Sequence, residues 1–114
     1  MSLTIVLFLT AALFGFHLLK HVLKNAPTPK GSLLFHSIFA AAGLAILIYH
    51  AWEGERGHLM TALIFLIVAA LGGFVMGFMD LILKKNPPKA LAILHPILAV
   101  TGVIFLLLYT FGSK

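Results

Sequence analysis

Apolar residues fill four long stretches of this chain, and polar residues collect in the short breaks between them. The stretches cover about residues 3–23, 32–52, 59–83 and 90–111. None alternates apolar and polar positions as a strand of a membrane barrel would. At about 1.5 Å of rise per residue, each run is long enough for a helix to cross about 30 Å of hydrocarbon. Backbone groups in lipid must satisfy one another, so helices are the expected form. The pattern predicts an all-α fold: a single integral membrane domain over residues 1–114, arranged as a four-helix bundle.

The breaks carry strong stop signals. KNAPTPKGS (residues 24–32) and KKNPPK (residues 84–89) combine lysine, asparagine and proline, which end helices and favour turns. EGERGH (residues 53–58) forms the middle loop. Lys20, Lys24, Lys30, Lys84, Lys85 and Lys89 flank the first and third loops, whereas Arg56 and Lys114 lie on the other side. The positive-inside rule then predicts loops one and three in the cytoplasm and both termini outside. Trp52 and Tyr109 fall at the outer border, where amphipathic rings are favoured. The first run has no basic leader and is long, so it is expected to stay as a membrane helix rather than be cleaved.

Composition agrees. Hydrophobic residues make up 61% of the chain and charged residues 10%, and the mean hydropathy is +1.11. A soluble domain of 114 residues could not bury so much apolar surface, so the lipid bilayer is the expected partner. The pI near 9.9 does not indicate nucleic acid, because the lysines punctuate helix ends instead of forming a basic stripe. Cysteine is absent, which excludes disulfides and thiolate metal sites. The serines and threonines show no acid–base partners for nucleophilic catalysis, and no phosphate-cradling glycine loop is present.

The chain repeats itself. HSIFAAAG begins at His36 and HPILAVTG at His95, each with a glycine seven residues on, Gly43 and Gly102. Aligning the halves on Pro29-Lys30 and Pro88-Lys89 matches these pairs, and pairs Gly15-Phe16 with Gly77-Phe78 and His17 with Met79. Two transmembrane hairpins in one orientation predict a pseudo-twofold axis along the membrane normal. His36 and His95 lie six residues beyond Lys30 and Lys89, and His17 lies seven before Lys24. All three are expected about 9–10 Å inside the lysine-rich border. Asp80 precedes Lys84 by one turn, a spacing that predicts an ion pair between them.

Intramembrane ionisable residues point to function, and three at one depth suggest a shared metal or cofactor. Zinc on His17, His36 and His95 would need water in an apolar core. Haem b suits the pattern better, with His36 and His95 as axial ligands and His17 as the substitute. Gly43 and Gly102 would then open a slot for its faces, and Lys20, Lys24, Lys30 and Lys89 would meet its propionates. His21, His50 and His58 are further candidates for the iron, and His50 with His58 allows a second haem near the outer border, although the repeat places Tyr109 opposite His50.

With its histidines placed across a bundle and its basic loops, the chain resembles small four-helix transmembrane cytochromes b, the cytochrome b561-like and bacterial diheme proteins. The resemblance is architectural and covers all four helices. It implies electron transfer through a bis-histidine haem, with quinol or quinone as redox partner. A thin bundle with small-residue patches also suggests a homodimer, through a face the sequence does not assign. Two rivals remain: a small transporter or channel subunit, and an assembly subunit of a larger membrane complex, in which the small-residue faces at residues 40–43 and 69–73 bind other helices. Small multidrug transporters share the length but use an intramembrane glutamate, whereas Glu53 and Glu55 lie in a loop.

Overall fold

A computed structural model describes residues 1–112. Four helices follow in order: α1 (Ser2–Leu23), α2 (Lys30–Trp52), α3 (His58–Leu81) and α4 (Lys89–Phe111). All four are long and apolar enough to cross a membrane. The molecule measures 41 × 22 × 20 Å, the longest dimension matching helices of about 35 Å plus their turns. α1 packs chiefly on α2 and α3 on α4, with lesser α1–α4 and α2–α3 seams, so α1 faces α3 and α2 faces α4 across the diagonals. The result is a four-helix bundle of two hairpins.

The outside is more apolar than the inside needs. Leu13 and Phe74 are each 75% exposed, and leucine, isoleucine and phenylalanine side chains cover the surface of every helix. Such a surface is stable against lipid, and the chain is a multi-pass membrane protein. The tightest part of the core lies toward the α2–α3 loop, where Leu47, Leu59 and Leu106 are fully buried beside Phe8 and Leu66.

The helix ends differ slightly from the sequence expectation. α2 and α4 begin on Lys30 and Lys89, directly after Pro29 and Pro88, whose fixed φ leads into the first turn. α3 stops at Leu81 instead of running through Leu83. Lys84 adopts φ 54°, and the Lys85 N–H reaches back to the Met79 carbonyl at 2.9 Å, closing the helix early. Asn25 does the same for α1 with φ 54°, and the Ala26 N–H caps the His21 carbonyl at 2.9 Å.

The internal symmetry is present, but its register in the first helix of each half differs from the alignment above. Phe8 lies against Gly43 and Leu66 against Gly102. Ala11 and Gly15 meet His36, and Ala69 and Gly73 meet His95. Gly15 therefore corresponds to Gly73, and not to Gly77, around which nothing lies within 4 Å of an added Cβ. The sequence carries this register as AALFGF from Ala11 and AALGGF from Ala69. The shorter match at Gly77-Phe78 displaced α3 by one helical turn and put His17 on Met79, whereas its true counterpart is Val75.

Gly102 is the tightest of these contacts: an added Cβ would sit 2.7 Å from Leu66 Cγ and 3.2 Å from the Ala62 carbonyl oxygen. Gly102→Ala should destabilise the bundle by about 1–3 kcal/mol through overpacking. Gly77→Ala should be neutral or stabilise by up to about 1 kcal/mol, since alanine is the better helix former. Unfolding in mixed detergent micelles, followed by circular dichroism, measures both.

Candidate functional site

The diagonal helices α2 and α4 carry His36 and His95, and their rings meet near the bundle axis. The ring centroids are 6.1 Å apart and the planes cross at 76°. Each imidazole is fastened to the other helix of its own hairpin. His36 Nδ1–H donates to the Ala11 carbonyl on α1 at 2.7 Å, and His95 Nδ1–H donates to the Ala69 carbonyl on α3 at 2.7 Å.

Local sequence explains why this is possible. Within a helix, the carbonyl of Ala11 is already paired with the N–H four residues on, that of Gly15. A carbonyl oxygen has a second lone pair, but side chains one turn later normally cover it. Gly15 has no side chain, and the His36 ring occupies the vacated space: a Cβ there would lie 2.9 Å from His36 Cε1. Gly73 repeats the arrangement, with a would-be Cβ 3.0 Å from His95 Cε1. Ala-x-x-x-Gly thus builds an acceptor and a socket in a single turn.

The chemical consequence concerns the tautomer. A carbonyl can only accept, so both Nδ1 atoms carry the proton, and in the neutral ring Nε2 is left as a Lewis base. Metal-bound histidines usually show this arrangement, with the remote N–H given to a carbonyl that fixes the ring and raises its basicity. The donor set therefore suits an iron held between two imidazoles. The room beside it differs from expectation: Gly43 and Gly102 are buried, but Phe8 and Leu66 fill the space against them, so they form no open slot as packed.

The other candidates lie elsewhere. His17 is on the exposed face of α1, stacked edge-on with His21 at 4.8 Å between centroids, and does not join His36 and His95. Among the described residues no group of three or more His, Asp or Glu side chains is placed to hold a metal ion, so the three-histidine zinc arrangement is not formed. Met79 faces outward, lining a surface groove with Phe74 and Val75. Lys30 is held by Asp80, with Nζ 2.9 Å from both carboxylate oxygens and 2.9 Å from Thr28 Oγ1. Thr28 also donates to Asp80. Asp80 thus pairs across the hairpins with Lys30 rather than along its helix with Lys84. Lys89 is exposed at the start of α4. Of the small residues expected to bind other helices, Gly43 and Ala69 are buried and Gly73 abuts His95, while Ala41 and Ala70 are exposed.

At the opposite end, Glu55 in the α2–α3 loop accepts from His50 Nδ1 and from the Tyr109 hydroxyl. His58 instead lies near Phe105, with ring centroids 5.8 Å apart. Comparison with protein-family models, with curated proteins and with solved structures returned no match.

Sequence reasoning found His36 and His95 but missed Ala11, Gly15, Ala69 and Gly73, which hold them. Nitrogen-15 NMR of histidine-labelled protein without added metal should show the Nδ1–H tautomer for both rings. Gly15→Ala should displace His36, shift that residue's resonances towards a mixture of tautomers and leave those of His95 in place.

Proposed function

We propose that the protein is a membrane b-type cytochrome, with His36 and His95 as the axial ligands of a haem iron. The observation that carries this reading is the symmetric pair of imidazoles, each with Nδ1–H committed to a backbone carbonyl and Nε2 left as a metal donor. Bound haem would supply one-electron redox chemistry. Ala11 and Ala69 would fix the ring planes and strengthen both ligands. The apolar helices would exclude water and help set the potential. Lys89 is the cation left for the propionates, because Lys30 is engaged by Asp80 and Lys20 and Lys24 line an outward groove of α1. Two histidine ligands leave iron no open position, so oxygen binding is not part of this function.

In this reading a lipid-soluble reductant such as a quinol delivers electrons from the bilayer. The lysine-rich end faces the cytoplasm of a bacterial-type inner membrane, with both termini on the far side. A homodimer belongs to the same proposal, because a single bundle this thin leaves much apolar surface on every helix.

The packing of Phe8 on Gly43 and Leu66 on Gly102 favours a second reading. There the histidine–carbonyl bonds serve only to fasten helices, in a transport or assembly subunit. An absorption spectrum of protein expressed with haem supplied separates the two. The cytochrome reading expects a Soret band that shifts on dithionite reduction, with sharp α and β bands. His36→Ala or His95→Ala should abolish haem retention, whereas Ser37→Ala should keep it. A colourless protein, or equal haem in all variants, rejects the axial assignment.

A further inference from the structure

The two halves serve as each other's control. By the register that equates Gly15 with Gly73, the outward face at the lysine-rich end of α1 corresponds to that of α3. Phe16 matches Phe74, but His17, Lys20, His21 and Lys24 match Val75, Phe78, Met79 and Ile82. Each face forms a surface groove. That on α3 is wholly apolar, about 400 Å³, and lined by Phe74, Val75, Phe78, Met79 and Leu83. That on α1 is about 170 Å³ and lined by His17, Lys20, His21 and Lys24.

The fold does not require the basic set, because the equivalent helix packs with none of it. Helix-dipole compensation does not require it either: α1 has Lys20 and His21 in its last turn, and α3 has no basic residue there. Snorkelling alone explains lysines at a membrane border. It does not explain two histidines one turn apart, where the other half uses valine and methionine. The geometry of the groove is specific. His21 Nδ1–H donates to the His17 carbonyl at 2.9 Å, so in the neutral ring its Nε2 accepts and does not donate. Lys20 Nζ sits 5.9 Å over the Phe16 ring.

We propose that this groove binds the phosphate of an anionic phospholipid. Two ammonium groups disfavour a metal cation on the His17–His21 pair, and no carboxylate lines the groove to neutralise them. An anion with several acceptor oxygens matches the two lysines and an N–H of the His17 ring. The groove's depth selects a lipid over a free ion. It lies where the apolar run of α1 ends, and Leu13 and Phe16 next to it are 75% and 65% exposed, ready for an acyl chain. Basic pockets at this level are a general means of holding anionic headgroups. The inference is independent of what His36 and His95 hold.

Native mass spectrometry of the purified chain in detergent tests it, with phosphatidylglycerol and phosphatidylcholine of identical acyl chains as probes. The wild type should retain phosphatidylglycerol preferentially. Lys20→Gln/Lys24→Gln should lower that preference roughly fivefold for each lysine removed. His17→Val/His21→Met installs the residues of the other half, and should reduce the preference while leaving the melting temperature unchanged. Equal binding of the two lipids, or an unaltered preference in both double variants, overturns the proposal. Displacement of phosphatidylglycerol by millimolar inorganic phosphate also overturns it, because the site would then recognise the free ion.

Discussion

Each hairpin depends on one hydrogen bond from an imidazole to a backbone carbonyl that a helix has already used once. A lipid-embedded bundle has little hydrophobic force pressing helix on helix, so close packing and polar contacts must hold it. His36 on Ala11 and His95 on Ala69 provide the polar contact, and Gly15 and Gly73 provide the closeness. The same bond sets the tautomer of both rings. Stability and candidate chemistry therefore share their atoms, and a change at either glycine acts on both.

The ends of the bundle are tied differently from its middle. Lys30, Asp80 and Thr28 join the hairpins at the lysine-rich end, with the Asp80 side chain only 10% exposed. Glu55 joins them at the other, taking bonds from His50 on α2 and Tyr109 on α4. Neither tie obeys the internal symmetry: Asp80 corresponds to Val22, and His50 to Tyr109. The middle follows the repeat, where two equivalent imidazoles meet on one axis, and the ends, which carry no such pair, do not.

The four helices, their hairpin order and the pairing of His36 with His95 were legible in the sequence, because lipid thickness dictates run length and a repeated histidine in an apolar run stands out. The supporting shell was not read, although AALFGF and AALGGF spell it out. Alanine and glycine look like filler in a membrane helix, and their role appears only when a ring from another helix is seen against them. The partner of Asp80 was misread for a related reason. The i, i+4 rule sees along one helix, whereas Lys30 comes from the other hairpin. Gly43 and Gly102 were read as a slot, because sequence could not show that Phe8 and Leu66 would close over them.

Each imidazole lock closes inside its own half of the chain, His36 to Ala11 and His95 to Ala69. The meeting of the two rings, the α1–α4 and α2–α3 seams and the ties at the ends connect the halves. Each lock is thus complete within one hairpin, and two copies of such a hairpin related by the same axis would bring two imidazoles face to face.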